Sequence, residues 1–175
     1  MTSDRTAKLA GHNFWDEMIA MRDTQRDLRK TAVQVVRIEE LPQESNEMGL
    51  MRWYLHPSIK DTVISSLVFF EQEIPPGSRT GRLKFQGGQV IYILEGRGYT
   101  LIDGVKHSWE GGDLLNLPLR KDGVIVQHVN EDEEKPAKFV AVEPNLWQCT
   151  GIDRGCGFEV LARSPDYTGK AGQQE

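Results

Sequence analysis

From Val33 to Glu143 the chain is written in short runs: "VQVVRI", "LMRWYL", "VISSLVFFEQEI", "QVIYIL", "YTLI", "DLLNL", "VIVQHVN" and "KFVAVE". They are rich in the β-branched and aromatic residues that suit a pleated, half-buried surface. Between them lie "PPGS", "EGRG", "DGVK", "EGGD" and "NEDEEKP". In such clusters Gly supplies positive φ, Pro presets φ, and Asn or Asp bonds its own backbone, so the chain turns back. Many short strands at near-regular spacing close as a sandwich or barrel. No internal repeat of roughly 20–50 residues is present, so one barrel is expected rather than two. A chain of 175 residues can bury such a core without disulfides or a structural metal.

The N-terminal part has a different rhythm. Over residues 13–30, Phe14, Met18, Met21 and Leu28 recur at helical spacing behind Asn13, a good N-cap, with Asp16 three residues on. The spacing predicts one amphipathic helix, with His12 in its lead-in and Arg22, Asp23, Arg26, Asp27 and Arg29 on a solvated face. The tail "SPDYTGKAGQQE" is polar and Gly-containing, which predicts fraying. The expected organisation is a helical segment over 1–32, a β-barrel over 33–163 and a flexible tail over 164–175.

With 38% apolar and 27% charged residues the composition is that of a soluble globular chain, and the net charge of −5 argues against nucleic-acid binding. No apolar run approaches the roughly 20 residues of a spanning helix, and the first residues lack the apolar core of a secretory signal. A cytoplasmic chain with no membrane partner is expected. Cys149 and Cys156 have neither redox-pair nor zinc-knuckle spacing and are taken as ordinary thiols.

Two blocks carry a resemblance. "GGQVIYILEGRGYTLIDG" follows Gly77 and is centred on Gly96; "GGDLLNLPLRKDGVIVQHVN" contains Gly112, Pro118 and Asn130. Together they resemble the two characteristic blocks of the cupins, a jelly-roll family. With "IPPGSRTGR" before the first block, residues 63–144 are similar to the gentisate-dioxygenase-like cupins of aromatic compound catabolism. The resemblance implies an all-β fold, a cupin-type double-stranded β-helix (jelly-roll) barrel with a short N-terminal helix. It also implies a homodimer, in which helix 13–30 is an interface or barrel-capping element.

Cupins hold a metal with two histidines and a glutamate in the first block and a last histidine in the second. Aligned on Gly96 and Asn130, those positions are Leu83, Phe85, Gln89 and Val126. Two are aliphatic, one is an arene and one is a neutral amide, none a good ligand for iron, manganese, nickel or zinc. A one-residue slip brings only Arg82, Lys84, Gln86 and Gly88, and the two cations would repel a metal. The expectation is a degenerate metal site, with no metal and no cofactor.

Strand alternation places Leu83 and Phe85, then Gln89, Ile91 and Ile93, then Val126, His128 and Asn130 on inward faces. The predicted cavity is apolar, with Gln89, His128 and Asn130 as its polar groups. The leading expectation is metal-independent binding of a small apolar or aromatic ligand, a carboxylate contacted at the mouth by Arg79, Arg82 or Lys84. One alternative is that the same side chains close a core around a satisfied His128. Another is a gentisate-type ring-cleaving dioxygenase with iron. A third is a metal-free lyase or isomerase with His128 as acid/base, oriented by Glu71 or Glu73. His56 and His107 are read as surface residues, the tryptophans as packing, and "GRG" at 96–98 and "GSRTGR" at 77–82 as turns.

Overall fold

The computed structural model describes residues 3–146, 148 and 157–169. Its strands are β1 (Glu44–Asn46), β2 (Gly49–Leu55), β3 (Leu67–Ile74), β4 (Arg82–Phe85), β5 (Gln89–Glu95), β6 (Arg97–Ile102), β7 (Val105–Glu110), β8 (Leu114–Leu117), β9 (Val124–Asn130), β10 (Ala137–Pro144) and β11 (Glu159–Ala162). Among the described residues they form a six-stranded sheet in the order β1-β2-β3-β10-β5-β8 and a five-stranded sheet in the order β11-β4-β9-β6-β7. Every named pairing is antiparallel. The all-β expectation holds.

Alternation sets what each sheet turns inward. On β10 the buried residues are Ala137, Phe139, Ala141 and Glu143; on β9 they are Val124, Val126, His128 and Asn130. β5 buries Gln89, Ile91 and Ile93, and the core between the sheets is completed by Ile74, Phe85, Trp109 and Leu117 among others. The β5–β6 reversal needs Gly96, whose φ is +90° and where a Cβ would lie 2.7 Å from Ala137 Cβ.

The run "VQVVRI" departs from expectation: it forms no strand and ends in a 3-10 turn over Ile38–Glu40. Its β-branched residues have the local preference for extended backbone, but no neighbouring strand pairs with them, and Val33 and Val35 are exposed. Conversely β1, β4, β7 and β11 form where the sequence shows no conspicuous apolar run. Partner strands supply what local composition does not.

Contacts divide the chain into two units, Met1–Val35 with Lys60–Val63, and Val36–Ile59 with Ile64–Glu175. The first unit holds a short helix α1 (Asp4–Leu9), which the sequence reading missed, and the expected helix α2 (Phe14–Leu28). Asn13 Oδ1 accepts from the Asp16 N–H at 3.2 Å, the cap predicted for α2. Val33 N–H donates to the Asp61 carbonyl at 3.0 Å, joining Lys60–Val63 to this unit. Phe14, Trp15, Met18, Met21 and Leu28 of α2 are exposed. No helix of the described residues is long and apolar enough to cross a membrane. Cys149, Cys156 and Trp147 lie outside the described residues.

Candidate functional site

The second unit contains a cavity of about 510 Å³ between its two sheets, a size that suits a small organic molecule. One wall comes from β2, β3, β5 and β10: Met51, Trp53, Val68, Phe70, Gln72, Gln89, Phe139 and Glu143. The other comes from β4, β9 and β11: Leu83, Val126, His128 and Val160, with Phe158 beside them. Asn46, Glu47, Met48 and His56 complete it.

Of the eight side chains expected inside, Leu83, Gln89, Val126 and His128 line this cavity, and Phe85, Ile91, Ile93 and Asn130 do not. Leu83 and Val126 are direct register partners across β4 and β9. Phe85 lies farther along β4, buried and stacked on Phe158 with 6.3 Å between ring centroids. Ile91 and Ile93 do point inward, but they are packed in the solid core, at 0% and 1% exposure. Asn130 is a loop fastener: its amide donates to the Ile74, Pro75 and Lys135 carbonyls at 3.1, 3.1 and 2.8 Å, and its Oδ1 accepts from Asp132 N–H at 3.0 Å.

His128 is held by a relay. Thr100 is its register partner on β6, and Thr100 Oγ1 lies 2.7 Å from His128 Nδ1. Trp109 Nε1–H donates to the same hydroxyl at 3.0 Å. The ring rests on Phe139 at 4.8 Å. Burial pushes the His128 pKa down to about 4, so the imidazole is neutral at pH 7.

The titratable group suited to neutral pH is one the sequence reading missed. Glu143 lies at the far end of β10, nearly buried, and its Oε2 accepts from Gln89 Nε2 at 2.9 Å. Burial raises its pKa to about 7, against the opposing effect of the Gln89 bond. The signal was present in "AKFVAVEP", where Ala137, Phe139, Ala141 and Glu143 fall on one face. The carboxylates expected to orient His128 belong elsewhere: on β3 the cavity takes Val68, Phe70 and Gln72, so Glu71 and Glu73 alternate to the other side. Glu71 pairs with Arg52 at 2.8 Å, and Glu73 lies 3.8 Å from Lys138.

His56, read as a surface residue, is on the cavity wall instead. Its Nδ1 accepts from Ser58 N–H at 3.1 Å as the chain turns at Pro57, and its ring meets Trp53 edge-on at 5.3 Å. His107 is exposed on β7, as expected. Arg79, Arg82 and Lys84 do not line the cavity, because Leu83 takes the inward position on β4. Among the described residues no lysine or arginine faces it.

The donor set does not fit the iron of a cupin dioxygenase. The aligned positions Leu83, Phe85 and Val126 have no donor atoms, and Gln89 offers only a neutral amide, whose Nε2 donates to Glu143. Among the described residues no three His, Cys, Asp or Glu side chains come together as a metal site.

Solved structures with the same arrangement of strands carry different activities. The polyketide cyclase RemF from Streptomyces resistomycificus matches with a TM-score of 0.54 at 18% identity, over 64% of this chain and 79% of its own. A cupin-like protein from Thermotoga maritima matches at 0.50 and 16%, over 69% and 87%. The chain has the cupin fold. A single-residue mutant of salicylate 1,2-dioxygenase from Pseudoaminobacter salicylatoxidans, in complex with gentisate, also shares this cupin fold, with a TM-score of 0.54 at 16% identity, over 80% of this chain and 36% of that one. In sequence, an uncharacterized protein of Methanocaldococcus jannaschii is 35% identical over 78 residues, 44% of this chain and 61% of the relative's length. No family model matches the chain.

Proposed function

We propose that this cupin binds a neutral, mainly apolar or aromatic small molecule in the barrel cavity, without a metal. The observation that carries the reading is the composition of the wall. Met48, Met51, Trp53, Val68, Phe70, Leu83, Val126, Phe139, Phe158 and Val160 surround about 510 Å³, and no lysine or arginine among the described residues faces that space. Apolar walls supply contact area, and a few fixed polar groups supply orientation. A carboxylate ligand, the sequence-based expectation, would meet Glu143 and a neutral His128 with no counter-charge, at a desolvation cost it cannot recover. The neutral ligand is therefore favoured.

The test is a thermal-shift comparison of two probes of equal ring size, 2-naphthol and 2-naphthoate at pH 6. A ligand that binds only the folded state raises its melting temperature by mass action. The expected result is a rise with 2-naphthol and none with 2-naphthoate. A rise with 2-naphthoate alone overturns the reading.

One observation favours a second reading, a metal-free lyase or isomerase. Glu143, at about 7, has the pKa that general acid/base work near neutral pH requires. On that reading Glu143→Gln removes turnover while ligand affinity is retained; retained turnover excludes it.

A further inference from the structure

The cavity wall is mainly apolar but also carries Asn46, Glu47, His56 and Gln72; two of its buried polar groups, His128 and Glu143, lie apart, and their hydrogen bonds fix what each can do. Trp109 Nε1–H is only a donor, so Thr100 Oγ1 accepts from it. Thr100 is fully buried, and its single hydroxyl proton has one other polar neighbour among the described residues, His128 Nδ1. The proton therefore goes to Nδ1, which makes Nδ1 the acceptor and leaves the ring's own proton on Nε2. This tautomer is assigned from the network. The lowered His128 pKa agrees with it, because a neutral ring needs no second proton.

The second pole is Glu143. Oε2 receives the Gln89 amide, while Oε1 has no hydrogen-bond partner among the described residues. The same holds for His128 Nε2. Among the described residues the sealed, unpartnered side-chain atoms are Thr62 Oγ1 and Asn145 Oδ1, and neither Glu143 Oε1 nor His128 Nε2 is one of them. Both residues are more than nine-tenths buried, and both line the cavity. Phe139, on which the His128 ring rests, and Glu143 share one face of β10, four residues apart, roughly 13 Å along an extended strand.

We propose that the cavity is built for an elongated neutral ligand, a hydroxylated aromatic ketone, whose carbonyl accepts from His128 Nε2–H and whose hydroxyl is held by Glu143. Glu143 at the hydroxyl end and a fixed N–H donor at the carbonyl end give the ligand one orientation. Thr100, Trp109 and Gln89 are positioning residues: the first two set the tautomer of His128, and Gln89 holds the Glu143 carboxyl. This assignment rests on the neutral-ligand reading above.

Four probes of matched shape separate the poles: 4-hydroxychalcone with both groups, chalcone with the carbonyl only, 4-hydroxystilbene with the hydroxyl only, and stilbene with neither. Their dissociation constants at pH 6 are measured by calorimetry on the full chain. The expected order puts 4-hydroxychalcone tightest, with about a tenfold loss for each group removed, as for a hydrogen bond left unmade in a buried site. Glu143→Met should abolish discrimination between 4-hydroxychalcone and chalcone and leave the carbonyl preference intact. Thr100→Val should weaken the carbonyl preference, and Thr100→Ser, which keeps the relay hydroxyl, should restore it. If the four probes bind wild type equally, the poles are refuted while the apolar cavity reading survives. If none binds, both readings fail. Because the wild-type series stands alone, a variant that does not fold leaves the test decisive.

Discussion

At the scale of single residues the cavity is defined by two titratable groups shifted in opposite directions by one cause, burial. Folded Glu143, at about 7 instead of 4.5, keeps a proton that the unfolded chain has lost across that interval. Stability from this group therefore falls as pH rises from about 4.5 through 7. Folded His128, at about 4 instead of 6.5, lacks a proton that the unfolded chain holds, so stability falls as pH drops from 6.5 towards 4. Where the windows overlap, between about 4.5 and 6.5, the two slopes oppose each other, and substitution uncovers one of them. At ~1.4 kcal/mol per unit of pKa, Glu143→Gln should gain about 3 kcal/mol over wild type between pH 4.5 and pH 8 in urea denaturation. Equal pH profiles for the two proteins would show that Glu143 is an ordinary carboxylate.

At the scale of elements, the β6–β9 pairing makes the His128 relay. Thr100 and His128 face each other in register, and Gly98 faces Trp109 on β7. A Cβ at Gly98 would fall 2.7 Å from Trp109 Cη2 and against the Val129 carbonyl, so glycine leaves the space in which the indole lies while its N–H reaches Thr100. Gly98→Ala should cost roughly 1–3 kcal/mol, as overpacking does, and shift the Trp109 environment. A wild-type melting curve and tryptophan emission spectrum for this variant would contradict the relay. Much of this level is legible in the sequence. Alternation in "QVIYIL", "VIVQHVN" and "KFVAVE" gives the inward faces, and Asn13 gives the start of α2. The misses have physical causes. "VQVVRI" has strand composition without a partner, and "RLKF" and "VKHSWE" lack apolar runs but are paired on neighbouring strands.

At the scale of the whole molecule, the cupin fold brings three of the four aligned ligand positions, Leu83, Gln89 and Val126, to one cavity whose lining is mainly carbon. That convergence followed from the family resemblance and the strand period. Which inward residues border open space and which fill the core did not, because alternation specifies a face and not a depth. Ile91 and Ile93 share their face with Gln89 but lie in solid packing, whereas the alternation that buries Ala137, Phe139 and Ala141 on β10 carries the Glu143 carboxyl to the cavity wall. His56 reaches the wall through a turn at Pro57 that strand periodicity does not describe.

The central claim, a proposal, is that this cupin-fold protein recognises a neutral ligand through an apolar cavity and needs no metal to do so. Calorimetric titration of 2-naphthol into the full chain, once after exhaustive chelation and once after iron is restored, tests it most directly. Equal dissociation constants in the two preparations are the expected result. Binding that appears only with iron would contradict it and return metal chemistry to the site.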